Sequence, residues 1–177
     1  TQAGAWGFYH FDDEGWTAGP TRIMENGIFK RGLSDSWSAR LSKVPRTANG
    51  RRQSWDHKAY ARMSNTFFEA GTQSREELIR GVSKGILVGH FTAGIEDPKG
   101  WGMQVVCQYG EKIENGKLTG KVVSPVTLSG YVPDVLASVD GVGNDFELSP
   151  GTCGKGYKEF VPITSGGPTI RFKARVS

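Results

Sequence analysis

The sequence predicts a mainly β domain of the α+β class, with two β-hairpins and two short helices. Three observations lead there. Two Asn-Gly dipeptides each lie between β-compatible stretches. Twenty-five glycines divide the 177 residues into short pieces. Only two segments combine a helix start, an apolar stripe and a stop.

The first hairpin joins Thr21-Arg22-Ile23-Met24 to Ile28-Phe29-Lys30-Arg31 through Glu25-Asn26-Gly27. The second joins Gln104–Ile113 to Lys117–Val123 through Glu114-Asn115-Gly116. Asn-Gly tolerates positive φ at both central positions, as a type I′ turn requires, and the twist of that turn matches paired strands. Between the hairpins, residues 40–63 show no periodicity and carry Pro45, Asn49 and Gly50, so an irregular loop is expected. The first helix begins at Ser74-Arg75-Glu76-Glu77, a capping box; Leu78, Ile79 and Val82 form its inner stripe and Gly85 its stop. Further strands are expected at Ile86-Leu87-Val88, at Val126-Thr127-Leu128 and over residues 169–174, where apolar and polar residues alternate. The second helix starts at Pro133, a favoured first position, and runs to about Asp140, with Leu136 and Val139 facing inward. Whether the strands form one sheet, a sandwich or a barrel does not follow from this pattern.

A chain of this length suits one domain, or one large piece of a longer protein, and the opening Thr1-Gln2-Ala3-Gly4 without a Met favours the second description. Hydrophobic residues at 37% and charged residues at 23% argue for a packed core rather than disorder. No apolar run approaches the ~20 residues of a membrane-spanning helix. Two cysteines are too few to staple the domain, which favours reduced thiols and a cytoplasmic setting. The net charge of +4 names no partner by itself. Its distribution is less even: Arg40, Lys43, Arg46, Arg51, Arg52, Lys58 and Arg62 face only Asp56, with Trp37, Trp55 and Tyr60 nearby. Cations interleaved with aromatic rings are what single-stranded nucleic acid binding uses. A solvated charged loop is the commoner outcome, and nucleic acid is not the expected partner.

The three histidines, His10, His57 and His90, are scattered, and no His-Glu-x-x-His, His-Glu-x-x-x-His or Cys-x-x-Cys spacing occurs. No self-contained zinc site is expected. No Gly-x-Ser-x-Gly elbow or phosphate loop is present, and Asp12-Asp13-Glu14 before Gly15 reads as a solvated acidic turn. Cys107 shares strand parity with Met103, Val105 and Tyr109, so it is expected as a buried thiol. Cys153 sits in Pro150-Gly151-Thr152-Cys153-Gly154-Lys155-Gly156, read as a glycine-rich loop. The glycines allow close approach to the sulfur, and Lys155 favours the thiolate, the metal-binding species.

Several segments in order resemble the TldD/PmbA family, also called modulator of DNA gyrase. They are Phe11-Asp12-Asp13-Glu14-Gly15, Glu25-Asn26-Gly27, Thr47-Ala48-Asn49-Gly50-Arg51-Arg52 and Arg62-Met63-Ser64-Asn65-Thr66. Further on come Gly85-Ile86-Leu87-Val88, Ile113-Glu114-Asn115-Gly116-Lys117, Gly143-Asn144-Asp145, Gly151-Thr152-Cys153-Gly154-Lys155 and Gly167-Pro168-Thr169-Ile170. The resemblance implies a β-rich C-terminal domain of a zinc metallopeptidase. In that family two histidines of a His-Glu-x-x-x-His helix and a late cysteine hold the zinc, which makes Cys153 the ligand and places the helix upstream of Thr1. The chain alone is then expected to be inactive and to hold zinc poorly. The resemblance further implies small or unfolded peptides as substrates, an extended peptide added to a sheet edge, and a homo- or heterodimer with a family member. It makes Arg62, Met63, Ser64, Asn65 and Thr66 a candidate lining for the peptide channel. Family members without the zinc motif exist, so the alternatives are a non-catalytic partner subunit or, from the basic loop, a nucleic-acid- or gyrase-associated binding module. The chain departs from the family at Thr92–Gly102, which keeps Asp97-Pro98 without the paired glycines, and at Tyr157-Lys158-Glu159, where a Gln is usual.

Overall fold

The computed structural model describes residues 3–155 and 159–177; positions 1–2 and 156–158, the latter including the Tyr157-Lys158 departure, lie outside the described residues. In chain order the elements are β1 (Met24–Glu25), β2 (Ile28–Phe29), α1 (Ser36–Ser42), β3 (Gly50–Arg51), β4 (Tyr60–Ala61), β5 (Asn65–Phe67), α2 (Arg75–Arg80), β6 (Lys84–Glu96) and β7 (Gly102–Glu114). They continue with β8 (Lys117–Val123), β9 (Val126–Tyr131), α3 (Val132–Ala137), β10 (Gly141–Val142), β11 (Glu147–Lys155), β12 (Glu159–Gly167), β13 (Ile170–Arg171) and β14 (Arg175–Val176). The chain is mainly β, as expected, and its strands form open sheets that do not close into a barrel. It divides into two compact units, Thr1–Phe68 with Glu147–Gly167 and Glu69–Phe146 with Pro168–Ser177.

The second unit is built on apolar burial. Strand β7 is its hub, pairing antiparallel with β6, β8 and β9, while β14 extends the sheet beyond β9. The β7–β8 hairpin turns at Asn115 and Gly116, both at positive φ, as the Asn-Gly signal requires. Cys107, Val126 and Leu128 are buried together, with Phe172 and Ala174 packed against them. The alternation over residues 169–174 therefore marks an inward face, although only Ile170–Arg171 is strand there, on β10. Strand β6 is far longer than Ile86-Leu87-Val88 suggested. Helix α2 keeps its capping box, Ser74 and Glu77 each bonding the other's amide. It ends at Arg80, not near Gly85, because the carbonyls of Val82 and Ser83 accept from Gly116 and Asn115 of the hairpin turn. Gly85 lies in β6 opposite Ile113. Helix α3 likewise stops at Ala137, short of Asp140, whose amide donates to the Arg171 carbonyl.

The first unit is held differently. Among the described residues, every buried polar or charged side chain belongs to it: Asp12, Ser34, Asp35, Thr47, Asn49, Arg51, Arg62 and Thr164. Strands β1 and β2 form the first expected hairpin, with Asn26 and Gly27 at positive φ, though each strand pairs over only two residues. Helix α1 was not foreseen, because its start is a capping box of uncommon composition. Asp35 accepts from the Ser38 amide at 2.6 Å, and the Ser38 hydroxyl accepts from the Asp35 amide at 3.0 Å. The segment read as an irregular loop contains the end of this helix and the β3–β4 pair. Strands β11, β12 and β5 form a three-stranded sheet, β11–β12 antiparallel and β12–β5 parallel, which leaves β11 at an edge among the described residues.

Burial acts to raise the pKa of Asp35, but bonds from Ser38 and from the Ala61 amide outweigh it and hold the carboxyl below its ordinary value. A lowered folded-state pKa stabilises the fold above the unfolded value of ~3.9 and is lost as pH falls through the folded value. Asp35→Asn keeps one cap oxygen but does not titrate. The gap in unfolding free energy between wild type and this variant is expected to narrow below pH ~3.9, as followed by chemical denaturation.

Candidate functional site

Cys153 lies on β11, not in the glycine-rich loop expected for it. Its backbone pairs with Val161, and Gly151 and Gly154 pair with Ile163 and Phe160. A Cβ at 154 would come within 3.2 Å of the exposed Phe160 ring, which would have to shift by a few tenths of an ångström. The thiol is free and half-buried, and its nearest hydrogen-bond acceptor is the Gly154 carbonyl at a long 4.0 Å. Cys107, in contrast, is 5% exposed within the β7–β9 core, and burial pushes its thiol pKa up. The contrast between an inert thiol and an available one stands as read from the sequence.

Two buried arginines anchor the backbone around Cys153. Arg62 is 2% exposed; its Nη2 donates to the carbonyl of Cys153 on β11 and, at 3.1 Å, to that of Glu159 on β12. Its own backbone is tied to Asn49, whose carbonyl accepts from the Arg62 amide and whose Nδ2 donates to the Arg62 carbonyl, both at 2.9 Å. Arg51 donates through Nη1 to the Met63 carbonyl at 2.6 Å and to the Pro162 carbonyl at 2.7 Å. Its guanidinium lies 4.9 Å from the centre of the Tyr9 ring, and the Tyr9 hydroxyl donates to the Ala48 carbonyl at 2.5 Å. Burial lowers the Arg51 pKa; Tyr9 and Asp13 oppose that, Arg62 adds to it, and Cys153 is among the groups favouring the charged form. Tyr9 is shifted up, first by its own burial.

Within the acidic turn Asp13, Glu14 and Gly15 are exposed, as expected, and only Asp12 is withdrawn from solvent. Asp12 is 3% exposed and accepts from the amides of Glu14, Trp16 and Gly50 and from Arg46. Glu14 accepts from Arg46 at 2.8 Å and from the Ser36 amide at 2.9 Å. The basic cluster is split: Arg51 and Arg62 are buried and Arg46 half-buried, whereas Arg40, Lys43 and Lys58 are exposed. Arg46, Arg51 and Arg62 bind internal acceptors, the Arg52 amide donates to Asp13, and Lys58 lies 5.4 Å from the Tyr60 ring centre. Lys155, expected beside the thiol, has its ammonium 5.1 Å from that same ring.

The proposed peptide lining also looks different in three dimensions. Arg62 faces protein carbonyls, not solvent. Ser64, Asn65 and Thr66 are half-buried on or beside β5, where the Ser64 carbonyl accepts from the Thr164 amide at 3.1 Å. Local pattern reads Asp12 only as part of an acidic turn and Arg51 only as part of a basic cluster, and assigns nothing to Asn49, although each lies in a segment that carries the family resemblance. A cavity of about 460 Å³ is lined by Gly4, Ala5, Trp6, Leu148, Pro150 and Thr164. Leu148 and Pro150 have strand parity opposite to Cys153, so this cavity and the thiol lie on opposite faces of β11. His57 pairs with Asp56 at 2.9 Å, and His10 and His90 are exposed. Among the described residues no group of three or more His, Cys, Asp or Glu side chains could hold a metal ion, and no helix is long and apolar enough to cross a membrane.

Comparison with known proteins bears on family and fold. The family model for the PmbA/TldA metallopeptidase C-terminal domain matches residues 1–177. A metalloprotease of Methanocaldococcus jannaschii is 40% identical over all 177 residues, which span 39% of that protein. A protein of Saccharolobus solfataricus named as a zinc metalloprotease TldD homolog is 30% identical over 164 residues, 93% of this chain and 36% of its own length. The crystal structure of TldE from Thermococcus kodakarensis shares the fold at a TM-score of 0.72 and 23% identity, over 94% of this chain and 35% of that one.

Proposed function

Because the chain belongs to the PmbA/TldD metallopeptidase family as its C-terminal domain, we propose that it forms part of a zinc-dependent peptidase in which Cys153 is one metal ligand. The observation that carries this reading is the placement of Cys153: a free, half-buried thiol on an edge strand whose backbone is fixed by a buried guanidinium. A catalytic zinc takes three protein ligands and keeps a position for water. The described residues fit one of those ligands and no more, so the remaining donors come from the larger part of the parent protein. When bound, the zinc lowers the pKa of its water toward neutrality and polarises the scissile carbonyl.

The chain's own residues supply position and backbone. Among the described residues strand β11 has one unpaired edge, on which an extended peptide can form main-chain hydrogen bonds next to the thiol. Substrates are small or unfolded peptides, because only an extended segment satisfies such an edge. The parent works as a homo- or heterodimer with a family member in the cytoplasm, a reading that rests on family membership.

In the full-length parent, Cys153→Ala is expected to lower zinc content, read by mass spectrometry of the metal, and to abolish peptide hydrolysis while leaving the melting temperature nearly unchanged. Cys107→Ala is expected to retain zinc and to lose about 1–2 kcal/mol of stability through a small core cavity. Reversed outcomes would overturn the ligand assignment. A wild-type parent that takes up no zinc would favour the non-catalytic partner subunit instead.

A further inference from the structure

The Arg62 side chain is turned toward backbone carbonyls of the β11–β12 hairpin. We infer that Arg62 is a positioning residue, whose Nη2 clamps β11 to β12 through the carbonyls of Cys153 and Glu159 and thereby sets where the Cys153 thiol stands. The inference deepens the zinc reading above and rests on it only for its consequence at the metal; the clamp itself stands on contacts within this chain.

Register shows why a clamp is needed there. Cys153 pairs with Val161 and Lys155 with Glu159, so both clamped carbonyls lie in the last few pairs of the hairpin. Strand β5 pairs with β12 only at Thr164, Ser165 and Gly166, so it gives this end of the hairpin no neighbour. Arg62 takes over that role from the side. It is 2% exposed, and its main chain is fixed in both directions by Asn49. Arg51 does the same one step along, satisfying the Pro162 carbonyl. The carbonyl that Arg62 holds belongs to the candidate ligand residue itself. Ligand side chains need positions good to about 0.5 Å, and the residues that hold them are part of the site in that sense.

The guanidinium is also used unevenly. Among the described residues its buried Nε and Nη1 have no hydrogen-bond partner, and its bonds there run through Nη2. It acts as a point donor, not as a planar fork. A lysine, with one nitrogen and three donors on an arm one atom shorter, should therefore restore part of the clamp, whereas a methionine of similar bulk should restore none.

The test uses the full-length parent with its metal removed, and follows the alkylation rate of Cys153 by mass spectrometry of the modified peptide. Arg62→Met is expected to raise that rate on the order of tenfold, the factor expected for a lost charged hydrogen bond. Zinc affinity, measured by chelator competition, should fall roughly 10- to 100-fold, as for other residues that orient a ligand. Arg62→Lys should lie between wild type and Arg62→Met in both measurements, with far-UV circular dichroism unchanged. An Arg62→Met protein alkylated at the wild-type rate, or a lysine variant no better than the methionine variant, would overturn the clamp. If Arg62→Met does not fold, Arg62→Lys carries the test alone: about a fivefold rise in alkylation is expected, and no rise refutes it. If alkylation rises but zinc is unaffected both here and in Cys153→Ala, the clamp is supported and the ligand assignment fails.

Discussion

Asp12→Ala is expected to destabilise the first unit by about 3–5 kcal/mol, the range for removing one partner from a buried ionic network. Most domains have only about 5–15 kcal/mol to lose. The Asp12 side chain is fully buried, and its two oxygens serve three backbone amides and Arg46. Alanine would leave the amides of Glu14, Trp16 and Gly50 without that acceptor. Arg46 would keep Glu14, at 2.8 Å, and the Trp16 ring, 4.9 Å from its guanidinium. The damage reaches the candidate site through β3, because the amide of Gly50 precedes Arg51, and Arg51 holds Met63 and Pro162. Asp12→Asn is expected to cost nearly as much, since its amide nitrogen would face donors. The measurement is denaturant unfolding of both variants against wild type. A loss below about 1 kcal/mol, the size of an ordinary surface change, would show that water replaces the carboxylate and that the network is not structural.

That network also marks the limit of what the sequence could tell. Elements written in hydropathy and turn chemistry were legible: the two Asn-Gly hairpins, the Ser74 capping box and the buried parity of Cys107 all correspond to observed features. The first unit is organised by buried polar groups instead. No periodicity announces that Asp12 will be wrapped in amides or that Arg51 and Arg62 will be driven inward. Composition alone reads the one as a solvated acidic turn and the other two as part of a solvated basic loop. Their partners are far away in sequence, at Gly50, Pro162 and Glu159, so local reading cannot pair them. The same holds for β11 and β12. Two prolines and four glycines hide strands whose pairing is antiparallel across nine residues, which is why the local pattern reads Cys153 as lying in a loop. The resemblance did point to these places, since Phe11–Gly15, Thr47–Arg52 and Arg62–Thr66 are the segments in which the network lies. It located them without explaining them.

Gly166→Ala is the second large effect expected, about 4 kcal/mol or more. Gly166 has φ +153°, a conformation that L side chains rarely adopt, and a Cβ there would stand 2.2 Å from the carbonyl oxygen of Glu147 and 3.2 Å from the Cα of Leu148. These are backbone atoms of the paired strand, so no side-chain rotation relieves the contact; β11 and β12 must move apart where Leu148 pairs with Gly166. The carbonyl of Gly166 also accepts from the Phe68 amide, and Gly166 pairs with Phe67 of β5, so all three strands of the sheet meet at this residue. Gly15→Ala is the control. Gly15 has φ +78° but nothing within 4 Å of an added Cβ, so only the left-handed backbone penalty of about 1–2 kcal/mol applies. Thermal unfolding of the two variants separates conformation from collision: equal losses would mean that the close approach of Gly166 to Glu147 is not a real constraint. If the losses differ as expected, zinc uptake by the folded fraction of Gly166→Ala should also weaken, because the strand pairing that aligns Cys153 with Val161 begins at this end of the hairpin.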